Sequence, residues 1–284
     1  MENIFNKFKL YLKAKGNSER TIEYYIWHTE KFLQYTEAKI SDYGNLKKFR
    51  ERYYIIIDRP SLSNESKKKH LKCARIFADF LIEEEKIEIN APRLISPPKV
   101  QTRLPIIVED EEINSVFYTI DKRWSGFLHL RNSILVETFL YTGLRRNELL
   151  NLKRENIFEN KIFVNSGKGG KDRSIYIPDH FYEKLIEYIK VTSGVSEYLF
   201  YSVRKGKLSK SGIKKIFDEI KKKAGIKVLH PHRLRHTYAS RMIEQGIDIA
   251  VVKEQMGHAN ISTTNRYIAV RDSHRKAVIQ NLKF

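Results

Sequence analysis

The chain of 284 residues is 41% hydrophobic, enough to supply cores for two domains, which excludes a disordered polypeptide. Lys and Arg total 53 against 34 Asp and Glu, a formal charge of +19 that exceeds what solubility needs and points to a polyanion, with nucleic acid ahead of an anionic membrane surface. A single cysteine excludes an intramolecular disulfide framework, and no apolar run approaches a membrane span. The amino terminus MENIFNKFKLYLKAKG lacks the apolar core of a secretory leader, so a cytoplasmic protein is expected.

Up to Asn90 the patterns are helical. Over Asn64 to Glu84, Leu71, Ala74, Phe77, Ala78 and Leu81 recur at helical spacing, and Cys73 among them reads as a small buried hydrophobe. Lys68, Lys72 and Arg75 fall on a different face of the same helix. Such a stripe either contacts phosphates or is simply solvated, and the charge of the whole chain favours phosphate. From Asn90 to Pro105, Pro92, Pro97, Pro98 and Pro105 interrupt the helical pattern and push the residues before them toward extended backbone. Residues 91–105 are therefore expected to link a helical domain at 1–90 to a second domain at 106–284. Both parts carry excess positive charge, as a clamp on DNA from two sides would require.

Beyond the linker, an apolar helix through Ile134, Leu135 and Phe139 stops at Gly143, a residue suited to the left-handed conformation past a helix end. A new apolar run, Leu149, Leu150 and Leu152, starts just after it, so Arg145 sits at a tight helix junction with Glu148 one turn away to brace it. The alternative for this pair is an ordinary surface ion pair. A hairpin follows: Ile162 and Val164 alternate with Phe163, and Ile175 and Ile177 alternate with Tyr176. Its turn, Ser166-Gly-Lys-Gly-Gly-Lys-Asp-Arg173, carries Lys168 between glycines that let backbone pass close to DNA, and Lys171 beside it. A lysine on such a loop is equally at home in solvent.

Chemistry concentrates in the last third. Opening a phosphodiester needs a nucleophile, cationic donors around the nonbridging oxygens, and a proton for the departing oxygen. A helix beginning at Pro231 places His232 and Arg235 on one face, with His236 one turn from His232. The His232/His236 spacing also suits a zinc helix, but Arg-Leu-Arg between them lacks the glutamate of that motif and repels a cation, so an anion site is preferred and no metal is expected. Gly257-His258 and Ser262-Thr-Thr-Asn-Arg-Tyr267 follow.

Thr142-Gly-Leu-Arg145 with Glu148, Gly167-Lys-Gly169, Pro231-His-Arg-Leu-Arg-His236, Gly257-His258 and Ser262 to Tyr267 together resemble the tyrosine recombinases of the integrase family, and in particular its compact Xer-type members. The likeness spans most of 105–270 in the expected order, while the first half is similar only in length and helical character. It implies a mainly α protein, with an amino-terminal SAM-like, core-binding helical bundle and a mostly helical catalytic domain containing a small antiparallel sheet. It further implies that Arg145 and Arg235 clamp the scissile phosphate, His258 donates a hydrogen bond to it, His232 assists proton transfer, Lys168 protonates the departing 5′ oxygen, and Tyr267 attacks to leave a 3′-phosphotyrosyl bond. Glu148 and His236 support these groups, and Lys68, Lys72, Arg75, Arg146 and Lys171 are expected to contact double-stranded DNA. Arg146 stands where the family often has an apolar or small residue, so it adds a phosphate contact or is solvated. No cofactor is implied. The family's tetramers on paired sites, such as a chromosome-dimer resolution site, exchange a carboxy-terminal segment, for which Arg275 to Phe284 is a candidate; the alternative is a helix packed on its own domain. Integration of a mobile element, a topoisomerase using the same chemistry, and a helical DNA-binding regulator that does not cut are the competing readings.

Overall fold

The computed structural model describes residues 2–100, 106–165, 172–204 and 206–257, and these separate into two compact units, one on each side of 101–105. Among the described residues there are eleven α-helices and one small sheet, and no helix is long and apolar enough to cross a membrane.

The first unit contains α1 (Glu2–Ala14), α2 (Glu19–Thr36), α3 (Leu46–Ile57) and α4 (Asn64–Glu83). Ser18, Asn45 and Ser63 begin α2, α3 and α4, each accepting a backbone N–H from the first turn with its side-chain oxygen. Phe8, Phe32, Phe49, Phe77, Phe80 and Leu81 fill the core, with Phe8 and Phe77 meeting edge to face at 5.0 Å between centroids. Leu71, Ala74, Phe77, Ala78 and Leu81 of α4 are all buried, as their spacing predicts. Cys73 is buried with them, and that burial pushes its thiol up to about 12, leaving it an inert apolar filler.

One expectation changes here. Residues 91–95 lie within the stretch expected to be a linker, but they pack into this unit: a 3-10 turn at Ala91–Leu94 buries Ala91 and Pro92. Arg75 explains why. Its Nε donates to Pro92 O at 3.1 Å and its Nη2 to Ile95 O at 2.6 Å, so the half-buried Arg75 holds the turn. Asn90 Nδ2 completes the junction by donating to Arg75 O and to Asp79.

In the second unit, α5 (Asp110–Arg123), α8 (Asp179–Val191) and α10 (Pro231–Glu244) pack around α6 (Gly126–Thr142). Because α6 has neighbours on most sides, it buries polar as well as apolar residues, including Thr138, whose hydroxyl donates to Ile134 O at 2.6 Å. The short α7 (Arg146–Asn151) leads to β1 (Ile157–Phe158), β2 (Lys161–Val164) and β3 (Arg173–Tyr176), an antiparallel sheet in chain order. The expected hairpin is the β2–β3 pair, with Ile162 opposite Ile175 and Val164 opposite Arg173. Ile162, Val164 and Ile175 face the core while Phe163 and Tyr176 face out. Strand β1 was not foreseen, since two residues carry no periodicity. The unit also contains α9 (Lys210–Lys223) and α11 (Ile249–Met256).

Candidate active site

The site is built where the end of α6, the start of α7, β3, α10 and the end of α11 meet. Helix α6 stops at Gly143 in the left-handed region (φ +57°), whose N–H returns to Phe139 O at 3.1 Å. A side chain there would collide with the Tyr238 ring and lie 2.9 Å from Met256 Sδ, so only glycine admits this close approach. The chain then turns at once into α7, with Arg145 at the position preceding its first residue.

Glu148 braces Arg145 twice. Its Oε2 accepts the Arg145 backbone N–H at 2.8 Å and its Oε1 accepts Arg145 Nη1 at 2.8 Å. Arg145 Nη2 continues to Gly257 O at 2.5 Å. Its side chain is 45% exposed while that of Glu148 is 9% exposed, so the carboxylate is an inner support for a guanidinium that reaches solvent.

Arg235 approaches the same point from α10. That helix starts at Pro231, suited to a first turn because it has no N–H to leave unpaired, and His230 Nδ1 caps it by accepting Arg233 N–H at 3.1 Å. Arg235 is buried; its Nη1 donates to Gly143 O and its Nη2 to Met256 O at 2.5 Å. The two arginines thus donate to successive carbonyls, Met256 and Gly257, at the carboxy-terminal end of α11. Carbonyls at a helix end carry partial negative charge, which favours two cations donating there. The intervening Arg233 points elsewhere, pairing with Glu112 at 2.5 Å and Ile107 O at 2.6 Å to fix α10 against the first turn of α5.

His232 and His236 stand one turn apart on α10, their rings edge to face at 4.3 Å, with His232 exposed and His236 half-buried. Tyr238, on the same helix, is held protonated: burial pushes its phenol up to about 12, against the pull of Arg173 and Arg235. Lys68 and Lys72 are exposed on α4, with Lys72 Nζ 5.9 Å from the Tyr25 ring centroid, and Arg146 is exposed at the start of α7. Lys168, Lys171, His258, Tyr267 and residues 275–284 lie outside the described residues.

Sequence reading missed Arg173, the first residue of β3. It pairs with both oxygens of Glu148, Nη1 to Oε1 at 3.1 Å and Nη2 to Oε2 at 3.0 Å, and its Nε donates to Gln255 O at 2.8 Å. Burial pushes the Glu148 carboxyl up, but hydrogen bonds from Arg173 and Arg145 outweigh it and hold the group at about 2. A signal was available: the alternation that turns Ile175 and Ile177 inward turns Arg173 inward too, and a guanidinium at such a position demands a buried acceptor.

Comparison with known proteins agrees with this architecture. The phage integrase family model matches residues 107–274. Tyrosine recombinase XerA of Pyrococcus furiosus is 34% identical over 284 residues, covering 98% of this chain and 93% of its own. The solved post-cleavage complex of XerH site-specific recombinase with a palindromic difH substrate superposes with a TM-score of 0.75 at 23% identity, covering 95% of this chain and 82% of that one. A lambda integrase tetramer bound to a Holliday junction gives 0.72 at 18% identity, covering 91% and 77%. The chain belongs to the phage integrase family and is a tyrosine recombinase, a site-specific DNA recombinase.

Proposed function

We propose that this chain cuts and rejoins DNA strands at a specific site, with Tyr267 as nucleophile. The observation that carries the reading is the convergence of Arg145 and Arg235 on adjacent carbonyls, immediately before His258 in sequence. Two guanidiniums that close together make a strong field for a phosphodiester, and the exposed edge of Arg145 gives it access. In this scheme the Tyr267 oxygen attacks phosphorus, His232 takes up the phenolic proton, the bond to the 5′ oxygen breaks, and Lys168 supplies the proton that oxygen needs. Arg145, Arg235 and His258 hold the nonbridging oxygens meanwhile. The 3′-phosphotyrosyl bond keeps the energy of the broken linkage, so religation needs neither a metal nor a nucleotide.

The proposal extends to a cytoplasmic enzyme acting as a tetramer on paired duplex sites, with residues 275–284 as the exchanged segment and Lys68, Lys72, Arg146 and Lys171 contacting the backbone. Resolution of chromosome or plasmid dimers is the role favoured, in line with the Xer name of the relative. Incubation with a nicked suicide substrate tests the chemistry. A covalent protein–DNA adduct that disappears in Tyr267→Phe and in Arg145→Ala is expected; DNA binding with no adduct from the unaltered chain would instead identify a regulator that does not cut.

A further inference from the structure

We infer that Arg173 is a positioning residue of the cleavage reaction, fixing the aim of Arg145 through Glu148 and tying both to the end of α11. The inference rests on the reading of Arg145 given above. Each Glu148 oxygen accepts one bond from each side: Oε1 from Arg145 Nη1 at 2.8 Å and Arg173 Nη1 at 3.1 Å, Oε2 from Arg145 N at 2.8 Å and Arg173 Nη2 at 3.0 Å. One carboxylate is therefore held between two guanidiniums, and its orientation is set by the inner one, whose side chain is 6% exposed against 45% for Arg145.

Arg173 also reaches the third component. Its Nε bond to Gln255 O, and the nearness of its guanidinium to the space a Gly257 side chain would take, place it beside the residues whose carbonyls Arg145 and Arg235 use. A Cβ on Gly257 would stand 2.7 Å from Arg173 Nη1 and 2.8 Å from its Cζ. A planar fork with three donor directions can meet both oxygens of a carboxylate and a carbonyl at once; an ammonium on a flexible stem cannot. Arg173 touches no reacting atom in this scheme. Without it Glu148 keeps its outer bonds only, and Arg145 gains freedom where a displacement of about 1 Å costs on the order of 100-fold in rate.

The test uses the full chain in single-turnover cleavage of a nicked suicide substrate at saturating protein, with DNA affinity and thermal melting measured in parallel. Arg173→Met is expected to slow cleavage about 100-fold with affinity within about threefold, and Arg173→Lys to recover part of that loss. Because the two residues act as one unit, Arg173→Met combined with Glu148→Gln is expected to cleave about as slowly as Arg173→Met alone. Unchanged cleavage in a folded Arg173→Met, strictly additive losses in the double variant, or weakened affinity at an unchanged cleavage rate would each overturn the inference. Should Arg173→Met fail to melt cooperatively, Arg173→Lys carries the test, and a wild-type rate there overturns it too. An Arg145→Ala arm separates the two levels: adduct lost in Arg145→Ala but undiminished in Arg173→Met refutes this inference alone, whereas normal cleavage by Arg145→Ala refutes the reading of the site.

Discussion

Replacing Gly257 by alanine introduces two penalties that a second glycine allows to be separated. Gly257 adopts φ +60°, where a side chain costs about 1 kcal/mol of backbone strain. Its added Cβ would also lie 2.7 Å from Arg173 Nη1, against a guanidinium held by Glu148 and Gln255 and so not free to withdraw. Overpacking of that kind costs about 1–3 kcal/mol, giving roughly 2–4 kcal/mol together. Gly225 has a similar φ of +69° but nothing within 4 Å of the same added atom, so Gly225→Ala should lose only the strain, about 1 kcal/mol. For a domain of this size each kcal/mol moves the melting temperature by about 2–4 °C. Thermal denaturation followed by circular dichroism should therefore show Gly257→Ala melting below Gly225→Ala by roughly 2–12 °C, the interval set by the collision alone. Equal melting of the two variants would show that Arg173 yields without cost, and the rigidity assigned to its cluster would be wrong.

Acid stability should report the same cluster. The Glu148 carboxyl is depressed in the folded chain, to about 2, so its contribution is fully present above the ordinary carboxylate range and is lost as pH falls from about 5 toward 2. Glu148→Gln should flatten that part of the melting-temperature profile relative to the unaltered chain; identical acid limbs would contradict the assignment. In the first unit, Lys68→Ala and Lys72→Ala should each reduce the salt dependence of DNA affinity by about one counterion, while Arg75→Ala should leave that slope unchanged and lower the melting temperature, because its guanidinium serves Pro92 O and Ile95 O. Titrating salt in a DNA-binding assay distinguishes the three.

Much of the fold was legible because helices and strands announce themselves through local periodicity. The apolar face of α4, the alternation in β2 and β3, and the abrupt stop at Gly143 each depend on residues within a few positions of one another. The short strand β1 escaped notice because two residues contain no period. Glu148 could be paired with Arg145 from spacing alone, since they share one helical turn.

Arginine roles divide at the same boundary. From the chain in one dimension, Arg75, Arg145, Arg173, Arg233 and Arg235 are five cations in a basic protein, and motif order picks out Arg145 and Arg235. Partners settled the rest: Pro92 and Ile95 for Arg75, Glu112 for Arg233, and Glu148 with Gln255 for Arg173. Apart from the 3-10 turn at Ala91–Leu94, these are meetings of elements far apart in sequence. Local sequence decides which face of a helix or strand a guanidinium occupies. Whether that face meets a carboxylate, a carbonyl or solvent is decided only when elements pack, because desolvating a cation demands an acceptor that packing alone can bring.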